Sequence, residues 1–468
     1  MYLNSKKNTW REFQLELQLD SRRKNHSFVF SKIFIPLLII FAAGYCLKIA
    51  GPFLISKITV TFKSHPFPEN SPGAPGKNHN KVTLEELRNL LAAHHIPVNT
   101  EKNNFFLNDG GRKLEIHTSL NIPLQKFILS RLQILRTLDR GKPQRIAMVV
   151  MEPETGRVLA MAGFDLTRAD FNICTDGEFP AASTFKIITA SAAIENCGYT
   201  PHTPIYFNGG KYTLYKSQLK ERKNKYTQKI SFANAFAESV NPVFGKIGSR
   251  HLGGKILKKY ASAFGFNREM DSDFPFKTGL VKIGDSAYQW AEVGCGFNKT
   301  TTITPLFGAM MSSTLLDWGR PTVPCLVDRV TDATGKTIYK REEKTAGRAV
   351  NPETAKTLMK MMEKTITMGT AKKSFRKWKR DRILSRLIIG GKTGSISNKD
   401  HTVKYDWFTG FAREKHGEKQ IALAVLVGHR KYIGIRAAMY GKMIIKEYFN
   451  RCFDLRKLSS RQASLTNG

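Results

Sequence analysis

The 468-residue chain predicts an α+β fold: an antiparallel β-sheet flanked by helices with a large helical subdomain, plus one N-terminal transmembrane helix. Three observations carry that expectation. "RIAMVVMEPETGRVLAMAGF" (145–164) reads as two apolar strands around a turn holding Pro153 and Gly156, which makes a hairpin. "YDWFTGFAREKHGEKQIALAVLVG" (405–428) reads as a second hairpin, and the text between the two is mostly helical in period. Neither hairpin can bury its apolar face alone, so strands from both ends meet in one sheet and the helices between them form an insertion.

In chain order, residues 1–27 are polar and basic and read as a cytoplasmic tail. Residues 28–55 include "IFIPLLIIFAAGYCLKIAGPFLI", an apolar run interrupted only by Lys48 and long enough to cross a bilayer as an anchor. Its leading flank holds Lys6, Lys7, Arg11, Arg22, Arg23, Lys24 and Lys32 against Glu12, Glu16 and Asp20, which keeps the N-terminus inside and exports everything after residue 55. Residues 56–113 read as a linker and a short membrane-proximal region. Four prolines in "SHPFPENSPGAPGKNHNK" (64–81) extend the chain, and Thr83 with Glu86 forms a capping box that opens a helix. The main domain is placed at 114–452, closing with the helical "GIRAAMYGKMIIKEYF" (434–449), and 453–468 reads as a basic tail.

Lys and Arg number 74 against 38 Asp and Glu, a formal net charge of +36. Most of that excess is exported, so nucleic acid is a poor partner; an anionic membrane surface or envelope polymer is a better one. The cysteines show no CxxC spacing, and five of the six lie outside the anchor, which is no disulfide framework; only a Cys174–Cys197 bridge is left open. His94 and His95 have no second ligand cluster near them, and neither a metal nor a cofactor is expected.

Three motifs carry chemistry. In "FPAASTFKIITASAAIEN" (179–196), Lys186 follows Ser183 by three residues among small and apolar side chains. On a helix i and i+3 share a face, so the amine reaches the hydroxyl; burial lowers its pKa and makes it a proton acceptor for a serine nucleophile. Ser-x-x-Lys occurs four times, at Ser21, Ser183, Ser217 and Ser374, but only Ser183 opens an apolar helix. In "FAESVNPVFGKIG", Ser239 and Asn241 present a hydroxyl and an amide one residue apart, in a turn stopped by Pro242. In "RLIIGGKTGSIS" (386–397), two glycines precede Lys392, Thr393, Gly394 and Ser395, which predicts a bare edge strand with a fixed cation beside it, fit to bind an extended peptide. A second Lys-Thr-Gly, at Lys277, lacks the glycine pair and the apolar lead, and a phosphate-loop reading of "GGKTG" fails because Arg386 stands where the first glycine belongs.

Ser-x-x-Lys, Ser-x-Asn and Lys-Thr-Gly in this order resemble the transpeptidase domain of the penicillin-binding proteins, within the serine D,D-transpeptidase and β-lactamase-like superfamily. Further text supports the resemblance: "HTSLNIPLQ", "AASTFK", "ESVNPVFGKIG", "AEVGCGFNKTTTITPLFGAMMSS", "TMGTA" and "YDWFTGFA". The resemblance implies covalent acyl transfer on peptidoglycan stem peptides ending in D-Ala-D-Ala, with β-lactam antibiotics as ligands. In it Ser183 attacks, Lys186 takes the proton, Ser239 returns it to the leaving amine, and Asn241 bonds Lys186 or substrate. Lys392, Thr393 and Ser395 hold the terminal carboxylate, and the backbone N–H groups of Ser183 and Ser395 form the oxyanion hole. Many relatives carry Thr where Ser395 stands. About 60 residues between Ile55 and the start of the resemblance leave no room for a glycan-polymerising domain, which implies a monofunctional enzyme served by a separate membrane polymerase. The alternatives are a D,D-carboxypeptidase, in which water accepts the acyl group, a class D β-lactamase or antibiotic sensor, and a non-catalytic binding protein.

Overall fold

The computed structural model describes residues 81–94, 99–168, 171–342 and 347–466, with side chains through Arg456. The predicted tail, anchor and proline-rich linker lie outside the described residues. Among the described residues no helix is long and apolar enough to cross a membrane.

Helix α1 (Leu84–Ala93) opens on the predicted capping box, with both Thr83 and Glu86 closing it. Strands β1 (Asn104–Asp109) and β2 (Arg112–Thr118) form a hairpin, and helix α2 (Ile122–Thr137) follows. Strands β3 (Arg145–Met151) and β4 (Val158–Asp165) are the first predicted hairpin. The short strand β5 (Phe179–Pro180) leads into a 3-10 turn, Ala182–Phe185, and helix α3 (Lys186–Cys197). The helical subdomain continues with the small hairpin β6 (Pro204–Phe207) and β7 (Gln228–Ser231), then α4 (Phe232–Ala237), α5 (Asn241–Lys246), α6 (Gly253–Ala263) and α7 (Ala287–Cys295). Strand β8 (Thr302–Ile303) pairs with β5, and the wholly buried α8 (Pro305–Leu316) follows. Strands β9 (Val327–Thr331) and β10 (Thr337–Lys340) join β1 and β2 in a four-stranded sheet, before helix α9 (Pro352–Thr367). The edge strand β11 (Leu387–Ser397) precedes the second predicted hairpin, β12 (Lys404–Glu414) and β13 (Gln420–His429), and helix α10 (Ala437–Thr466) ends the chain's described part.

The central sheet has the order β11-β12-β13-β3-β4 and is antiparallel throughout, so the two hairpins meet at β13 and β3 as expected. Its strands are apolar at nearly every position because both faces are covered. Ala147, Val149, Met151, Trp407 and Ala424 enter the core beneath α8 and the helical subdomain, while Ile146, Met148, Val150, Phe408 and Val425 enter the core beneath α2 and α10.

Two predicted boundaries are corrected. The cut at 113/114 runs through the β1–β2 hairpin, whose strand β2 pairs with β9; Val82, Leu87 and Leu91 of the expected linker region sit in the main core. At the other end, α10 runs through the cut at 452/453, and Phe453 is buried against the sheet's second face. Periodicity locates elements but not the contacts that bind them into one domain. Cys174 and Cys197 are both free thiols, one buried and one partly so, which removes the bridge left open above.

Candidate active site

Ser183 lies in the 3-10 turn that becomes α3. The turn is held from outside: Ala181 N–H donates to Thr301 O at 2.9 Å, and Trp407 Nε1 donates to Pro180 O at 2.9 Å. Ala182 takes a left-handed φ of +49°, an uncommon conformation for a residue with a Cβ. Gly296 caps α7 at φ +70°, and a Cβ there would stand 1.9 Å from Ala182 O. The serine turn is therefore wedged between α7 and the sheet.

One turn on, Lys186 is 0% exposed. Its Nζ lies 2.8 Å from Ser183 Oγ, 2.8 Å from Asn241 Oδ1 and 2.5 Å from Cys295 O. All three partners are neutral oxygens, so burial is uncompensated and pulls the amine down to about 8. Asn241, the first residue of α5, is fixed by its own amide, which donates to Tyr212 O at 3.0 Å.

Ser239 stands two residues earlier at a left-handed φ of +60°, and its Oγ accepts from Lys392 Nζ at 2.9 Å. Lys392 reaches it from β11 and also donates to Thr393 O at 2.9 Å. It too is 0% exposed, and burial together with the nearby Lys186 charge drives its pKa well below the ordinary lysine value. The expectation of a fixed cation facing an open edge is thus corrected: Lys392 is a buried amine aimed at Ser239. The glycine pair is corrected too. β11 is an edge strand, but Cβ atoms at Gly390 and Gly391 would strike the rings of Phe411 and Phe408 at about 2.5 Å, so these glycines make room for core aromatics, not for a ligand. Gly394 is the position of close approach, where a Cβ would lie 3.2 Å from Ala181 O and Ser183 N.

The structure therefore brings Ser183, Lys186, Ser239, Asn241, Lys392 and Gly394 together. Thr393 turns its hydroxyl to Thr370 Oγ1 at 2.5 Å, and Ser395 Oγ donates to Asp406 Oδ1 at 3.0 Å. The other Lys-Thr-Gly lies apart, with Lys277 Nζ 2.8 Å from Glu178 and Thr278 Oγ1 donating to Arg268 O. Sequence reading missed Cys295 O, which accepts from Lys186, and the pair behind Ser395, in which Asp406 accepts from Ser395 Oγ and from Arg436. Asp406 had one signal, since it faces Ser395 once β11 and β12 are paired in register; a backbone carbonyl and an arginine beyond the last strand had none. Among the described residues no cluster of His, Cys, Asp or Glu could hold a metal ion.

Comparison with known proteins follows the same outline. The family profile of the penicillin binding protein transpeptidase domain matches residues 146–453. Stage V sporulation protein D of Bacillus subtilis is 24% identical over 277 residues, 56% of this chain and 42% of that protein. The peptidoglycan D,D-transpeptidase PbpA of Mycolicibacterium smegmatis is 25% identical over 323 residues, 61% of this chain and 62% of that one. The chain thus spans less than two thirds of either relative's length. Among solved structures, the D,D-transpeptidase domain of a peptidoglycan glycosyltransferase from Eggerthella lenta superposes with a TM-score of 0.59 at 20% identity, covering 77% of this chain and 86% of that one. The imipenem acyl-enzyme of penicillin-binding protein A from M. tuberculosis superposes at 0.57 with 22% identity, covering 71% and 79%. At such identities these two structures speak for the fold.

Proposed function

The chain belongs to the penicillin-binding protein transpeptidase family, and from that premise we propose that it is a peptidoglycan D,D-transpeptidase acting through a Ser183 acyl-enzyme. The observation that carries the reading is the Lys186 amine, 2.8 Å from Ser183 Oγ and held near neutrality by burial among neutral oxygens. Such an amine takes the hydroxyl proton as Oγ attacks the carbonyl of the penultimate D-Ala. The backbone N–H groups of Ser183 and Ser395 receive the oxyanion; one such donor is typically worth about 3–4 kcal/mol. As the C–N bond breaks, Ser239 passes its proton to the departing D-Ala amine and Lys392, 2.9 Å away, restores it. An amine of a second stem peptide then attacks the acyl-serine ester, giving up one proton to Ser239 Oγ and through it to Lys392, and Ser183 Oγ leaves, regaining its proton from Lys186, so one peptide bond is broken and one formed.

β-Lactams enter this proposal as ligands acylating the same serine. The anchor at 28–55 places the domain on the outer face of the cytoplasmic membrane, and a separate membrane glycan polymerase supplies the strands; a detergent pull-down that recovers no such polymerase counts against that partner. Labelling with fluorescent penicillin tests the core claim. Wild type acquires a covalent label and Ser183→Ala acquires none; a labelled Ser183→Ala protein sinks the mechanism. Incubation with two stem peptides then yields a cross-linked dimer, whereas release of the shortened peptide alone marks water as the acceptor.

A further inference from the structure

We infer that the segment between α9 and β11 is a docking face for an anionic bilayer: residues 372–382 rest on the lipid headgroups and fix how the domain sits on the membrane. The face lies outside the three motifs and acts whether or not the acyl-enzyme reading holds. From Lys372 to Arg382 the chain carries seven Lys or Arg and one acid, Asp381. All seven cations are exposed. The one acid is already neutralised, since Lys446 of α10 places its Nζ 2.7 Å from Asp381 Oδ2. Lys372, Lys373, Arg376 and Lys377 in the first part, and Lys379, Arg380 and Arg382 in the second, make no side-chain hydrogen bond or ion pair among the described residues. A surface that only has to stay dissolved intersperses both signs, because like charges held side by side repel. A field of one sign is relieved by an anionic partner.

The cations are mounted on a fixed base. Phe375, Ile383 and Leu384 are buried, and the Phe375 ring lies 5.8 Å from that of Phe408 on β12. Short turns follow one another, with Phe375 N–H donating to Ala371 O, Trp378 N–H to Phe375 O and Arg380 N–H to Lys377 O. Lys442 of α10 donates to Arg376 O at 3.3 Å, which ties the segment to the helix. Lys377 takes a left-handed φ of +62°, uncommon for a residue with a Cβ, and turns the chain sharply between the two groups of cations. Next to it Trp378 packs its body on the core beneath α10, yet stays partly exposed, and its indole N–H has no partner among the described residues. An indole with a buried body and an unpartnered N–H, set among cations, suits a membrane–water boundary. A linear polyanion calls for cations in file along a groove; these gather on short turns around one aromatic ring, which fits a broad charged plane. The expected anchor ends at residue 55 and the described chain opens at Lys81, so the 25 residues between reach at most about 90 Å and keep the face within range of the bilayer. Thr370, two residues before Lys372, shares a hydroxyl bond with Thr393 of β11, so docking brings edge strand β11 beside the membrane surface. The ligand class is a bilayer rich in anionic phospholipid.

The test places the full chain in nanodiscs of phosphatidylcholine alone or with about one third phosphatidylglycerol, and reads backbone hydrogen exchange by mass spectrometry. Retention in the neutral discs rests on the anchor, so it checks that reading separately. Peptides covering 371–386 are expected to exchange at least about fivefold more slowly in the anionic discs at about 50 mM salt, and to lose that protection at about 0.5 M. Replacing Lys372, Lys373, Lys379 and Arg380 together by Gln removes the protection as well, with penicillin labelling and thermal midpoint unchanged. Should that variant not fold, the lipid and salt dependence of wild type decides alone. Equal exchange in the two kinds of disc at low salt overturns the proposal, and so does a folded variant that keeps the protection. Soluble polyphosphate added to the neutral discs is the third arm; protection there, with none from anionic lipid, overturns the bilayer and assigns the face to an anionic polymer.

Discussion

At the scale of single residues, the site is a case of charge removed from water without a counter-charge. Lys186 has three oxygen partners and none is a carboxylate, so desolvation is the main cause that brings its titration down to about 8. Below that value the amine is protonated and cannot accept the serine proton; above it the amine is free. The acylation rate is therefore expected to rise with pH through about 8 and then level off, measured as the second-order rate of fluorescent-penicillin labelling across pH 6 to 10 at constant ionic strength. A flat profile, or one that falls with pH, removes Lys186 as the base. Lys186→Met is expected to slow labelling by at least about 10²-fold while the fold persists, since a methionine fills the same apolar slot. This part of the site was legible in the sequence. Ser183 and Lys186 are local, i and i+3 on one turn, and their apolar setting is written beside them. Lys392 was half legible: its motif marked the place, but its burial and its aim at Ser239 depend on a helix-to-helix turn 153 residues away in sequence.

At the scale of elements, the reactive turn depends on glycines that touch no substrate. The C-cap of α7 brings Gly296 against the Ala182 carbonyl, and the edge strand brings Gly394 against Ser183 N. Gly296→Ala would place a Cβ 1.9 Å from Ala182 O, at a φ of +70° that already disfavours any side chain. The backbone must shift, and the part free to shift is the turn carrying Ser183. That substitution is expected to cost about 1–3 kcal/mol of stability and to slow penicillin labelling by more than about tenfold. A chemical melt paired with the labelling rate checks both; unchanged labelling in a destabilised protein shows that the turn is set elsewhere. The helices, hairpins and edge strand were legible because hydrophobic period and turn residues are local signals. The purpose of Gly390 and Gly391 was not, since a glycine reads alike whether a ligand or a ring approaches it. Here Phe408 and Phe411 come from the neighbouring strand, and only the register of β11 on β12 reveals them.

At the scale of the whole molecule, the central sheet is covered on both faces, and both ends of the described chain bury side chains in the two cores that flank it. Sequence resemblance begins near residue 114 because the motifs and their neighbours lie beyond it, whereas the packing begins at Val82. Residues before the cut supply one strand of the β1-β2-β9-β10 sheet and the apolar face of α1, with Leu87 and Leu91 buried in the main core. A chain beginning at residue 114 removes β1 and leaves β2, still paired with β9, as an exposed edge strand, and it opens the hollows those leucines fill. Each buried leucine contributes about 1.5–3 kcal/mol through burial alone, a large share of the 5–15 kcal/mol that holds a domain folded. Such a chain is expected to aggregate or to melt more than about 10 °C below one beginning at Lys81, although both contain every motif residue. The same reasoning applies at the far end, where ending the chain at Cys452 removes buried Phe453 and the Arg456–Glu414 ion pair, and a smaller loss is expected. Thermal melts of the three chains, together with penicillin labelling at 20 °C, settle the matter. If the chain from 114 melts with the longer one, the N-terminal strand and helix are appendages, and the boundary read from the motifs was the physical one.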